Sequence, residues 1–174
     1  MVAAALILPE DIQINGLNDS KKISAKMRDR LDIEIREKAV SFGIGTAEVA
    51  EIDSVNILQA TFKAMQRAVE ALRTLPDYLL VDGRDFPGFI FNGTAIPGEA
   101  VVKGDGKSAV MAGASILAKV YRDRLMVRYA SEIPGYGFEQ HKGYGTQMHR
   151  DKIAELGPCL IHRKKFIRKI VVTG

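Results

Sequence analysis

Short apolar runs alternate along the chain with longer stretches in which apolar residues recur every three or four positions. Residues 2–8 are apolar throughout, which predicts a strand covered on both faces. Residues 9–19 form a polar loop with an Asn15-Gly16 step. From Ser24 onward Met27, Leu31, Ile35 and Ala39 recur at every fourth position and predict a helix. Val40, Phe42, Ile44 and Thr46 switch to period two, a strand signal. Val55, Leu58, Phe62, Met65, Val69 and Leu72 then draw one stripe at helical spacing, predicting a helix capped by Asp53 and buried along that stripe. A short strand over 78–81 ends in Asp82-Gly83, and a Gly- and Pro-rich link runs on to Gly98. A strand over 100–102 ends at Lys103-Gly104-Asp105. Ser108 opens a third helix through about Tyr129, whose Ala109, Ala112, Gly113, Ser115 and Ala118 let it lie close against a sheet. A loop rich in Gly and aromatics over 134–145 leads to a short helix capped by Thr146 and stopped by Gly157 and Pro158. Strands alternating with helices place the chain in the α/β class.

Composition narrows this little but excludes much. At 174 residues and 47% hydrophobic content the chain suits one domain with a real core, without repeat, low-complexity tract or linker. No apolar run reaches the ~20 residues of a bilayer span. The opening run lacks a basic flank and a processing site, so it reads as a strand rather than a signal peptide. A lone Cys159 excludes an internal disulfide and fits a reducing compartment, hence a cytoplasmic location and no membrane partner. The net charge of +4 says less than its distribution: His162, Arg163, Lys164, Lys165, Arg168 and Lys169 crowd the last segment. Such a stripe either neutralises phosphates or is a solvated tail.

Three clusters carry candidate chemistry. Asp82 and Asp105 stand where apolar strands end. Carboxylates there either share a crevice suited to Mg²⁺ or Mn²⁺, or merely cap turns. In His141-Lys142-Gly143-Tyr144-Gly145 the glycines admit a close ligand, Lys142 suits a phosphate, and Tyr144 offers a stacking face and a hydroxyl; the alternative is a loop whose Tyr packs on the core. Asn18-Asp19-Ser20-Lys21-Lys22 meets a phosphate through Ser20 and Lys21, or is an ordinary capping segment. No nucleophile elbow, phosphate-binding Walker loop or zinc spacing is present.

Taken in order, several runs together resemble ribonuclease HII from end to end. They are residues 2–8, Gly-Leu-Asn-Asp-Ser-Lys-Lys (16–22), Glu-Ile-Asp-Ser-Val-Asn-Ile-Leu-Gln-Ala-Thr (51–61) and Leu-Leu-Val-Asp-Gly (79–83). Val-Val-Lys-Gly-Asp (101–105), the run 114–126, Tyr-Gly-Phe-Glu-Gln-His-Lys-Gly-Tyr-Gly-Thr (136–146) and Leu-Gly-Pro-Cys-Leu-Ile-His-Arg (156–163) complete the match. The resemblance implies a ribonuclease H-like fold, a five-stranded mixed sheet flanked by helices. It implies two-metal hydrolysis of the RNA strand in RNA–DNA hybrids and at single ribonucleotides in duplex DNA, with Mg²⁺ or Mn²⁺ as cofactor. It makes Asp82 and Asp105 two of four metal-binding acids. Lys21 becomes a residue at the substrate phosphates, with Ser20 and Lys142 beside the substrate, and Tyr144 the tyrosine at the sugar of an RNA–DNA junction. Asp123 and Arg163 take supporting roles, Asp123 by holding Arg122 or Arg124.

The sequence departs from that pattern at its start. The family's first, central strand carries Asp-Glu-Ala-Gly-Arg-Gly, with the other two acids and the backbone that reads the 2′-hydroxyl. Here the sequence opens with Met1-Val2-Ala3, where that motif has already passed. The expectation is a truncated domain over 1–174 with weak or no cutting, an exposed edge on the 2–8 strand, and a monomer only when complete. Met1 falls where relatives carry valine, so a valine codon misread as a start is the expected origin. A hybrid-binding module without catalysis, or an incomplete fragment, is the alternative. The link 84–98 is longer than the family pattern leads one to expect.

Overall fold

The computed structural model describes residues 1–17 and 23–171. Strand β1 (Val2–Ile7) pairs antiparallel with β2 (Ser41–Thr46), from Val2 opposite Thr46 to Ile7 opposite Ser41. Between them lies α1 (Ala25–Lys38), opened as expected by Ser24, whose hydroxyl oxygen accepts from the Met27 amide at 3.2 Å. Next come α2 (Val49–Val55), α3 (Ile57–Glu70), β3 (Leu79–Asp82), β4 (Phe89–Phe91), β5 (Thr94–Ile96) and β6 (Gly98–Val101). A 3-10 turn over Gly104–Gly106 leads into the long α4 (Ala109–Glu132), followed by α5 (Phe138–His141), α6 (Gln147–Leu156) and α7 (Lys164–Val171).

The α/β class and the mixture of parallel and antiparallel pairing hold, and among the described residues the strands are not joined into one continuous sheet. They form three two-stranded pieces: β1 with β2, β3 parallel to β6, and the antiparallel hairpin β4–β5. Among the described residues no ladder joins β1 to β3. Side chains bridge them instead, because Ala5 and Ile7 of β1 pack against the cluster of Val69, Leu72, Val81, Phe89, Phe91 and Ile96.

Helices cover β1 on both faces. On one side Leu6 joins Leu31 and Ile35 of α1 with Ile116 and Leu117 of α4. On the other, Ala3 meets Ala60, Ala64 and Ala68 of α3. Small residues make this contact close: Gly113 of α4 has Leu6 at the place of a side chain, and a Cβ on Gly45 of β2 would lie 1.9 Å from the Ala64 carbonyl oxygen.

Three expectations need correction. The single helix after Asp53 is two helices, with Asp53 inside α2. The break falls at Asn56, whose left-handed backbone (φ 77°) turns the chain and whose side-chain oxygen accepts from the Leu58 and Gln59 amides at 3.0 and 3.1 Å. The stripe that starts at Val55 is buried only at its far end, where Val69 and Leu72 enter the core with Met65 packed against them. Leu58 is exposed, and α3 turns its alanine row to the sheet because only small side chains fit against Gly43 and Gly45. Finally, the 84–98 link holds a β-hairpin around Asn92-Gly93, both at positive φ, a turn whose twist suits two strands.

Candidate active site

The parallel pair β3–β6 sets the acids. Asp82 is the last residue of β3, opposite Val101 at the end of β6. The chain leaves β6 through Lys103 in the left-handed region (φ 56°) and tightens into the 3-10 turn that carries Asp105. Asp82 Oδ1 accepts from the Gly104 amide at 2.9 Å, so its carboxylate is tied to the residue next to Asp105. Asp82 is exposed and Asp105 buried, with 8% of its surface accessible. The two strand-tip acids singled out by sequence therefore lie at the same end of one parallel pair, the end at which open α/β sheets bind ligands.

Carboxylate oxygens suit a hard divalent cation such as Mg²⁺ or Mn²⁺, which one or two carboxylates hold together with water and substrate phosphate. The carboxylates of Asp82 and Asp105 are of that donor type. Among the described residues no group of three or more His, Cys, Asp or Glu is gathered for a metal, so a second ion finds no further acid there.

A second cluster surrounds Tyr144. Its half-exposed ring lies near two cations of α4, Lys119 Nζ at 5.4 Å and the Arg122 guanidinium at 4.8 Å from the centroid. Asp123 holds both: Lys119 donates to its carboxylate at 2.5 Å, and Arg122 Nη1 stands 3.9 Å away. Arg124 instead pairs with buried Asp32 of α1 at 2.8 Å, linking α4 to α1. Lys119 was not singled out by sequence, and Arg122 only as a partner of Asp123, although Lys119, Arg122 and Asp123 stand at i, i+3 and i+4 on one helical face. Lys119 lies about 15 Å of helix beyond the start of α4, where the acid-bearing turn enters, so the two clusters occupy different levels of one helix.

The other singled-out residues are dispersed. Lys142 ends α5 in the left-handed region (φ 50°), and its amine donates to the Glu139 carbonyl within its own turn at 2.5 Å. Exposed Arg163 precedes α7, its carbonyl accepting from the Phe166 and Ile167 amides at 2.9 and 3.1 Å. Ser20 and Lys21 lie outside the described residues.

The fold is that of ribonuclease H-type enzymes. The crystal structure of the ribonuclease H2 from Pyrococcus horikoshii OT3 matches with a TM-score of 0.71 at 19% identity, over 99% of this chain and 98% of that one. A chain of the PCNA:RNase HII complex from Archaeoglobus fulgidus gives 0.66 at 23% identity, over 88% of this chain and 78% of that one. Sequence then fixes the group within that fold. The family model for Ribonuclease HII matches residues 1–169. Ribonuclease HII of Syntrophotalea carbinolica is 50% identical over 167 residues, 95% of this chain and 77% of that protein. That of Idiomarina loihiensis is 49% identical over 166 residues, 95% of this chain and 86% of that protein. The chain belongs to the ribonuclease HII family, a family of ribonuclease H-type nucleases. No described helix is long and apolar enough to cross a membrane.

Proposed function

We propose that the chain is an endonuclease for the RNA strand of RNA–DNA hybrids and for single ribonucleotides in duplex DNA, with Asp82 and Asp105 holding the divalent cation. The observation that carries this reading is the tie between Asp82 and the Asp105 turn, Oδ1 to the Gly104 amide at 2.9 Å, at the end of the parallel pair. When bound, Mg²⁺ or Mn²⁺ supplies polarisation of the phosphate and activation of water. The protein's own groups do the rest. The Gly104 amide fixes one oxygen of Asp82 and leaves the other to face the ion. Tyr144 presents a ring and a hydroxyl at the sugar, where the 2′-hydroxyl separates RNA from DNA. Lys119 and Arg122 place positive charge beside that ring, at a position suited to the substrate backbone. Ser20, Lys21 and Lys142 are the further proposed substrate contacts, with Asp123 and Arg163 in supporting roles.

One observation favours a second reading. With no third acid beside the pair among the described residues, cutting is weak and the chain acts chiefly by binding hybrid duplex. A cleavage assay with Mn²⁺, on duplexes carrying one ribonucleotide and on long hybrids, tests both readings beside a binding titration at several salt concentrations. Metal-dependent cutting supports the first reading. Binding that weakens steeply with salt, without cutting, supports the second. Neither cutting nor binding removes both.

A further inference from the structure

All three histidines of the chain, His141, His149 and His162, are buried together between α5, α6 and the turn before α7. His141 stacks on His149 with ring centroids 4.1 Å apart. Their hydrogen bonds admit one arrangement of protons. His149 Nδ1 lies 2.9 Å from the Tyr144 carbonyl oxygen, which only accepts, so Nδ1 carries the proton. In the neutral ring His149 Nε2 then accepts, and its partner, His162 Nε2 at 2.9 Å, must donate. That leaves His162 Nδ1 as the acceptor, and the Cys159 amide donates to it at 2.9 Å. His141 is fixed separately: Nε2 donates to the Tyr136 carbonyl at 2.8 Å, and Nδ1 accepts from the Gly143 amide at 3.1 Å. Every ring nitrogen is matched.

The relay runs from the 159–162 turn, through His162 and His149, to the backbone of the residue whose ring faces substrate. We propose that His149 and His162 are positioning residues: this chain of neutral imidazoles carries the placement of the 159–162 turn to the Tyr144 carbonyl and so sets where the Tyr144 ring meets the sugar. The inference rests on the role given to Tyr144 under the proposed function. A proton added to His149 would turn Nε2–H against His162 Nε2–H, and one added to His162 would turn Nδ1–H against the Cys159 amide. Acid therefore cuts the relay behind His149, at His162 and the Cys159 amide, so the placement of the 159–162 turn no longer reaches the Tyr144 carbonyl, to which His149 Nδ1–H still donates.

The groups packed on the rings agree. Around His162 they are Tyr136, Phe138, Cys159 and His149, with His141 acting from further off; around His149 they are His141, His162 and the rings of Phe138 and Phe166. Burial, with His149 beside it, pushes the His162 pKa down to about 4. Burial likewise lowers that of His149, with His141 adding to the effect. Cys159 Sγ sits 3.1 Å from His162 Nδ1, yet the two do not make a nucleophile and its base. An imidazole titrating near 4 takes no proton from a thiol at neutral pH.

Long-range ¹⁵N correlation spectra of the full chain test the relay directly. At pH 7 His149 is expected as the Nδ1–H tautomer, and His141 and His162 as Nε2–H. An Nε2–H tautomer at His149 overturns the proposal. His149→Leu removes the donor while filling the space, whereas His149→Asn keeps a donor near the position of Nδ1. The Tyr144 ring resonances should move in the first variant and largely return in the second. Unmoved resonances in His149→Leu overturn the proposal, whatever the enzyme cuts.

On substrate, His149→Leu should lower the ratio of single-ribonucleotide to long-hybrid cutting by roughly tenfold, about the worth of one hydrogen bond, and His149→Asn should recover most of it. Falling pH should lower the same ratio in the unmodified chain, with little change in His149→Leu. Equal loss on both substrates at every pH assigns the histidines to the core alone and overturns the proposal. If the unmodified chain cuts neither substrate, the nuclease reading fails, and the tautomers and Tyr144 resonances still decide the relay.

Discussion

At the scale of single residues, the proposed site turns on what each carboxylate does besides the cation binding proposed for it. Asp82 accepts a hydrogen bond from the Gly104 amide through Oδ1, and an asparagine oxygen accepts the same bond. Asp82→Asn therefore keeps the turn while removing the charge. It should reduce Mn²⁺-dependent cutting by roughly a hundredfold or more, as several kcal/mol of charge stabilisation are withdrawn. Hybrid binding in a gel-shift titration should stay within about twofold, because one residue among several contacts changes. Tyr144→Ala makes a different demand. The ring lies beside Lys119 and Arg122, so its loss should cost single-ribonucleotide cutting more than cutting of long hybrids. Parallel rate measurements on the two substrates check this, and equal losses would give Tyr144 a structural role. The placement of the acids at strand ends and of Tyr144 in an exposed loop was legible in the sequence because strand-tip carboxylates and a Gly-flanked tyrosine are local patterns. The meeting of Lys119 and Arg122 with Tyr144 was not, since it depends on how the loop after α5 folds back over α4.

At the scale of elements, local rules succeeded wherever the determinant was local. Ser24 and Thr146 cap α1 and α6 through their own hydroxyls, and Gly157 ends α6 at positive φ. They failed where the decision was tertiary. The apolar row starting at Val55 is continuous in sequence, but Asn56 breaks the helix and the alanine row of α3 takes the sheet. The Asn92-Gly93 step carried a hairpin signal between Phe91 and Thr94 that the surrounding Gly and Pro residues obscured. The α3–β2 contact leads to a prediction. In Gly45→Ala a Cβ 1.9 Å from the Ala64 carbonyl oxygen forces α3 off β2. The expected cost is about 1–3 kcal/mol, the usual range for overpacking, or more if the helix shifts bodily. Urea denaturation followed by far-ultraviolet circular dichroism measures it, and an unchanged midpoint would mean the contact is looser than drawn.

At the scale of the whole molecule, the buried histidines link stability to pH. His162 titrates near 4 when folded and near the ordinary 6.5 when unfolded, so the unfolded chain binds the extra proton between those values. The stabilisation is full above about pH 6.5, declines as pH falls, and is gone below about 4. At about 1.4 kcal/mol per pH unit, His162 withdraws roughly 3 kcal/mol across that window. His149, shifted in the same direction, adds to it. Urea midpoints between pH 7.5 and 4, compared with His162→Gln to subtract the carboxylates, should show the steeper fall in the unmodified chain.

The interrupted sheet has a consequence of its own. Where backbone ladders run across a whole sheet, its strands tend to come apart together. Here, among the described residues, the boundary between β1 and β3 has no backbone ladder and is bridged by side chains of β1, α3 and α4, among them Ala5, Ile7 and Met65, so it is a seam along which the protein can open without unfolding throughout. The β3–β6 pair is held by a register of four residues and the β1–β2 pair by six. Amide protons of the shorter pair should therefore trade with deuterium at a lower free energy than those of the longer one, and the acids would ride on the looser half. Identical exchange energies on the two sides would mean that side-chain packing alone welds the halves into a single cooperative unit.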